Sequence, residues 1–237
     1  MPRMTGGEAV VQALLAQGVD TLFVLPGVQN DALFSALYDA AERLRVIATR
    51  HEQAAGYMAY GYAAASGRPG AYCVVPGPGF LNTTAALATA YACNAPVLCL
   101  SGQVPLGRIG RAFGLLHELP DQLGIMQRLT KWAARIEAPQ EAPRLIAEAL
   151  AHMRTGRPRP VALEIPMDVL AQEAWLGPER PHPSALAHPE PDPEALERAA
   201  ALLKRAERPM IFVGGGAQDA SAEVRALAER LGAPVVA

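Results

Sequence analysis

Apolar positions along this chain recur at two spacings that take turns, and the alternation predicts a fold. Val10, Val11, Leu14 and Leu15 keep the helical spacing behind Thr5 and Glu8, which form a capping-box pattern, and Gly18 supplies the stop. A short apolar run over 21–25 then predicts a buried strand ended by the turn Pro26-Gly27. Leu33, Phe34, Leu37, Tyr38 and Ala41 make the next helical stripe. A strand over 44–48, a helix over 51–66 closed by Gly67, and a strand over 71–75 ending at Gly77-Pro78-Gly79 follow. The pattern continues with a helix over 82–93 and strands over 96–100, 132–136 and 161–165, with a helix over 141–154 before the last of these. Continuous apolar strands separated by helices predict an α/β fold, a mostly parallel sheet with helices on both faces.

Past residue 172 the periodicity dissolves. Pro178, Pro181, Pro183, Pro189, Pro191 and Pro193 punctuate the stretch, with His182 and His188 between them. This predicts a semi-rigid linker over 173–192, its histidines solvated. Helical spacing over 194–205 and 221–231, strands over 210–213 and 234–236, and Gly214-Gly215-Gly216 then open a second α/β domain. Residues 1–172 thus read as one domain and 193–237 as the beginning of another. Two strands and two helices cannot bury their own faces, so the sequence reads as the front of a longer polypeptide.

Charge and composition narrow the chemistry. A net charge of −2 gives no basic stripe, so nucleic acid is not an expected partner. No apolar run is long enough to span a membrane and the start lacks a signal-peptide pattern, which predicts a soluble, cytoplasmic protein. Cys73, Cys93 and Cys99 show no metal-site spacing; two lie in apolar strands and read as buried thiols. Ala55 breaks the zinc-protease pattern that His51-Glu52 would begin, and no Gly-x-Ser-x-Gly elbow is present. Gly77-Pro78-Gly79-Phe80-Leu81-Asn82 and Gly214-Gly215-Gly216-Ala217-Gln218-Asp219 both miss the dinucleotide fingerprint.

Glu52 is the candidate acid. It sits in Arg50-His51-Glu52-Gln53, between a strand and a helix of small residues, where open α/β sheets bind ligands. An acid set against small apolar residues suits proton exchange; the plainer reading is a first-turn acid complementing the helix dipole. Asn30 or Asp31 can cap the helix after Pro26-Gly27, and Asn82 can cap a helix or touch a ligand.

Several motifs in fixed order carry a resemblance. They are Pro26-Gly27, Arg50-His51-Glu52-Gln53, Gly77-Pro78-Gly79 with Asn82, Ser101-Gly102-Gln103-Val104-Pro105, Thr130-Lys131-Trp132, Thr155-Gly156-Arg157-Pro158, and Ile165-Pro166 with Asp168-Val169. Together these resemble the N-terminal pyrimidine-binding domain of thiamine-diphosphate enzymes of the acetolactate synthase type, to which benzoylformate and other 2-keto acid decarboxylases are cousins. The resemblance runs from about residue 6 to 169, and the remainder resembles the start of the family's central domain.

It implies that Glu52 hydrogen-bonds N1′ of the aminopyrimidine and favours the imino tautomer that takes the thiazolium C2 proton. It implies that Leu25, Pro26 and Gly27 line the pyrimidine pocket, that Pro78 and Asn82 approach the ring, and that a 2-keto acid is the substrate. Arg50 and Gln53 are as well placed to hold the helix start. In Leu115-Leu116-His117-Glu118-Leu119-Pro120-Asp121, His117 matches the synthases' active-site Gln and would relay protons; a surface histidine in a mobile loop is the plainer reading. Phe80-Leu81 replaces a smaller Ala-Thr pair, which narrows the pocket and argues against acetolactate synthesis itself. The family holds Mg²⁺ through a Gly-Asp-Gly…Asn motif of its third domain, absent from these residues, so no metal ligand is expected here. The resemblance leaves room for a non-redox FAD and implies a homodimer or homotetramer. Two other readings are an FAD- or NAD-binding α/β protein using Gly214 to Gly216, and a non-catalytic assembly member of the family.

Overall fold

The computed structural model describes residues 3–177 and 190–237, and the chain divides into two units, 1–187 and 188–237. In the first unit β1 (Arg3–Thr5) leads into α1 (Gly6–Ala16) through the expected capping box: Glu8 N donates to Thr5 Oγ1 at 3.2 Å, and Thr5 N to Glu8 Oε2 at 2.6 Å. There follow β2 (Thr21–Val24), α2 (Asp31–Asp39), β3 (Arg45–Ala48), α3 (Glu52–Ser66), β4 (Gly70–Val74), α4 (Pro78–Leu81), α5 (Thr84–Ala92) and β5 (Val97–Gln103). The unit closes with α6 (Gln122–Leu129), β6 (Trp132–Arg135), α7 (Ala142–Arg154), β7 (Val161–Pro166), α8 (Met167–Ala171) and β8 (Glu173–Trp175).

Six strands form one parallel sheet in the order β3-β2-β4-β5-β7-β6. Alternate residues of each inner strand serve opposite faces. Leu22, Val24, Cys73, Leu98, Leu100 and Leu163 pack against Val10, Leu14, Leu33, Leu37, Ile146 and Leu150 from α1, α2 and α7. Tyr72, Val74 and Cys99 pack against Ala55, Ala59, Leu87 and Met126 from α3, α5 and α6. Burial on both sides accounts for the continuous apolar runs. It also pushes the Cys99 thiol up to about 12 and raises the Cys73 thiol, so both stay protonated, while Cys93 is exposed. From β2 the chain moves out to the edge strand β3, then returns across β2 to β4. The connections leaving β2 and β4 diverge, which opens a crevice at their C-terminal ends.

Some elements differ from expectation. The helix expected over 82–93 begins earlier, as the turn α4 with Pro78 at its first position, and resumes as α5. Proline fits a first helical turn, where its missing N–H costs nothing. Neither Asn30 nor Asn82 caps a helix by its side chain. Asn30 turns inward instead and donates to Val74 O at 2.9 Å. The stretch expected to be linker starts with a strand: β8 pairs antiparallel with β1, and Arg3 meets Glu173 at 2.6 Å. Three-residue strands are too short to show a period. Residues 178–189, with His182, His188 and most of the expected linker, lie outside the described residues.

The second unit holds α9 (Pro193–Arg205), β9 (Ile211–Phe212), α10 (Ser221–Leu231) and β10 (Val235–Val236), with β9 and β10 parallel. Asp192 caps α9 through Glu194 N at 3.0 Å. Gly214 leads into a 3-10 turn over Gly215–Ala220. Leu196, Leu202, Met210 and Phe212 are exposed.

Candidate active site

Loops after β2, β3, β4 and β5 bring the candidate residues to the C-terminal edge of the sheet. Val75 joins two of them. A Cβ on Gly27 would lie 2.5 Å from Val75 Cγ1, and one on Gly79 would lie 2.5 Å from Val75 Cγ2. Glycine at both positions therefore lets the loops after β2 and β4 close on one valine. Gly77 is needed for two reasons: its φ is +61°, and a Cβ there would come within 2.5 Å of His117 O.

Glu52 is the first residue of α3, with His51 as the cap: the imidazole Nδ1 accepts Gln53 N–H at 3.1 Å. The helix thus starts one residue later than the sequence suggests. The Glu52 carboxylate is half-buried and unequal at its two ends. Oε2 accepts from Asn82 Nδ2 at 2.9 Å. Oε1 has no hydrogen-bond partner among the described residues and would lie 3.6 Å from a Cβ on Gly79, so a glycine there keeps the space beside it open. Asn82 reaches Glu52 because α4 and α5 break at Thr83, whose hydroxyl is bound inward between Phe80 O and the Tyr72 hydroxyl at 2.7 and 2.9 Å.

His117 lies on the other side of the Gly77-Pro78-Gly79 turn, with its backbone against Gly77. Its φ is +68°, a left-handed conformation uncommon outside glycine. Glu118 closes the loop by accepting the N–H groups of Leu115 and Phe113 at 2.9 and 3.3 Å. These bonds, Leu115's foremost, hold the Glu118 carboxyl below the usual carboxylate range. Leu25 donates its N–H to Cys73 O at 3.2 Å. Pro26 and Pro78 are exposed at the crevice rim, and Arg50 is exposed away from any ion pair among the described residues. The structure thus joins Glu52, Asn82 and Gly79, and separately joins His117 and Gly77. No hydrogen bond links the two groups.

A buried polar network carries the Gly77 turn. Gln122 Oε1 accepts Gly77 N–H at 2.9 Å, while its Nε2 donates to Gly102 O at 3.0 Å and Glu164 Oε2 at 3.1 Å. Fully buried Glu164 also accepts from Gln103 Nε2 at 3.0 Å and Arg135 Nε at 2.6 Å. Sequence reasoning missed this network, although Glu164, a lone acid inside a buried strand, was a signal. Other motif residues hold the scaffold: Lys131 Nζ donates to Thr155 O and Arg157 O, and Asp168 Oδ1 accepts Leu106 N–H at 2.9 Å.

The residues fit the pyrimidine half of thiamine diphosphate. A carboxylate is held at one oxygen and open at the other, beside a glycine that leaves room for a ring. Among the described residues no three metal-ligating side chains converge, and no described helix is long and apolar enough to cross a membrane.

Comparison with known proteins agrees. The N-terminal TPP binding domain of thiamine pyrophosphate enzymes matches residues 4–125, and the central domain of the same enzymes matches residues 196–237. A probable 2-ketoarginine decarboxylase of Pseudomonas aeruginosa is 41% identical over 98% of this chain and 41% of its own length. A probable acetolactate synthase large subunit of Methanocaldococcus jannaschii is 39% identical over 98% of this chain and 40% of its own. An acetolactate synthase of Mycobacterium bovis is 35% identical over the whole chain and 38% of its own. The chain spans about two fifths of the length of these relatives. Nothing in these matches favours the reading as a separate FAD- or NAD-binding protein. With the N-terminal domain's match covering just over half its residues, the chain belongs to the thiamine pyrophosphate enzymes.

Proposed function

We propose that this chain supplies the pyrimidine-binding part of an enzyme that uses thiamine diphosphate to decarboxylate or carboligate a 2-keto acid. The observation that carries the reading is the Glu52 carboxylate, anchored by Asn82 at one oxygen and open at the other beside Gly79. Thiamine diphosphate, when bound, supplies the electron sink for loss of CO₂. Glu52 Oε1 holds a proton against a ring nitrogen and returns it; Asn82 fixes the carboxylate's orientation. Leu25 and Gly27 line the crevice beside the ring, with Pro26 and Pro78 at its exposed rim. The family resemblance implies that a Gly-Asp-Gly…Asn pattern, which these 237 residues do not contain, would hold the diphosphate and its Mg²⁺.

A second copy supplies the opposite wall. Around Glu52, α3 exposes Ala54, Tyr57 and Met58, and the neighbouring α4 and α5 expose Leu81, Ala85 and Ala88. Gly56 against Ala86 and a 3.2 Å bond between the Tyr57 and Thr89 hydroxyls make these helices one surface. An apolar, small-residue face bordering a half-exposed acid suits a two-fold homodimer or a tetramer built from it. His117, where the synthases carry Gln, supports decarboxylation ahead of carboligation; one relative's name makes 2-ketoarginine a first substrate to try, with pyruvate as the simplest 2-keto acid beside it. We assign the enzyme to the cytoplasm.

In the full-length protein, Glu52→Gln is expected to lower CO₂ release from pyruvate or 2-ketoarginine by about 10²-fold or more, a general acid–base effect. Turnover near that of the unaltered enzyme would sink the assignment.

A further inference from the structure

Gln29 is buried at 5% exposure in the turn after β2, yet its amide reaches the loop 87 positions away. Its Nε2 donates to Leu116 O at 3.1 Å. That bond fixes which way the amide faces and leaves Oε1 pointing at His117 Nδ1, 3.2 Å away. An amide oxygen only accepts, so Nδ1 carries the hydrogen and donates it. The other ring nitrogen, Nε2, has no protein partner among the described residues. His117 is also held in a left-handed backbone conformation, with its carbonyl against Gly77 and Glu118 tying the loop shut behind it. Such a conformation at a residue other than glycine persists where the surroundings impose it, and these gather at working sites.

We propose that Gln29 is a positioning residue that locks His117 in the Nδ1–H tautomer, so that Nε2 is the nitrogen that exchanges the catalytic proton. This rests on the function proposed above. When the substrate's carboxylate leaves as CO₂, the carbon keeps the electron pair of the broken bond and needs one proton. The protonated ring gives it from Nε2 and returns to the neutral Nδ1–H form, which water reprotonates. With Gln29 removed, the ring is free to place its hydrogen on Nε2, and the neutral form then offers its lone pair to the wrong side. Gln29 was visible in the sequence only as one residue of a Pro-Gly turn.

The test is nitrogen NMR of the full-length enzyme labelled with ¹⁵N-histidine, the His117 signals assigned by their loss in His117→Gln. With the ring neutral, the unaltered enzyme is expected to show Nδ1 protonated and Nε2 bare. Gln29→Leu is expected to move the ring toward the Nε2–H form and to lower kcat/KM for decarboxylation at least tenfold, with unchanged thiamine diphosphate affinity. Gln29→Glu, which retains an acceptor oxygen, is expected to restore the Nδ1–H form. An unaltered enzyme showing the Nε2–H form overturns the proposal without any variant having to fold, as does a Gln29→Leu ring that keeps Nδ1–H. An enzyme that turns over no 2-keto acid would defeat the proposed function alone, because the tautomer is read without turnover.

Discussion

Two glutamates serve the same turn from opposite sides and could hardly be treated more differently. Glu164, inside β7, is fully buried and takes hydrogen bonds from Arg135, Gln103 and Gln122; through Gln122 it reaches Gly77 N. Glu52, at the start of α3, is half-buried, bound among the described residues by Asn82 alone, and its second oxygen lies beside Gly79. Three hydrogen bonds inside the core commit a carboxylate to holding structure. A carboxylate anchored at one end is oriented and still available. The turn between them, Gly77-Pro78-Gly79, is fixed from the Glu164 side through Gln122 and borders the open oxygen of Glu52 at Gly79. Under the proposed function, an open oxygen is what separates the acting group from the structural one.

The contrast is broken most severely at Glu164. Glu164→Leu strands the Arg135 guanidinium and two buried amides, a loss of about 3 kcal/mol even with Glu137 still 3.5 Å from Arg135. Hydrogen exchange of the β5 and β7 amides in the full-length protein reads this unit by itself, and protection there should fall roughly 10²-fold. Glu52→Gln should leave the same amides unchanged. An equal loss of protection in both variants would erase the distinction between the two acids.

Gln122→Leu comes next, because it cuts the strut while leaving both carboxylates in place. The unpaired Gly77 N–H costs about 1–3 kcal/mol, and exchange of the Gly77 and Gly79 amides should quicken. Turnover should fall with it, since Asn82 and Gly79 ride on that turn. Full activity alongside faster exchange would show that the turn's geometry does not matter to Glu52.

Asn82→Ala should have the smallest effect. The bond is solvent-accessible, so stability should change by about 0.5 kcal/mol or less, while kcat falls several-fold because the carboxylate is no longer oriented. A loss as large as that of Glu52→Gln would instead make Asn82 a direct partner of the chemistry.

The sheet and the position of Glu52 were legible because both rest on local signals: apolar runs buried on two faces, and an acid between a strand and a small-residue helix. The network around Glu164 was not. Its partners come from β5, α6 and β6, dozens of residues apart, and each looks ordinary where it stands in the chain. The helical turn at Pro78 hid between two glycines that read as loop, and β1 and β8 are too short to show a period. His117 could be singled out only by resemblance. Its partnership with Gln29 exists only once the loops after β2 and β5 are folded together.

The claim that the open oxygen of Glu52 works on the cofactor is tested most directly by exchange of the thiamine C2 proton. Deuterium uptake at C2 can be timed in the full-length enzyme loaded with thiamine diphosphate, before any substrate is added. The account predicts that Glu52→Gln slows this exchange by about 10²-fold or more, with cofactor still bound and β5 and β7 protection unchanged. An exchange rate equal to that of the unaltered enzyme would contradict it.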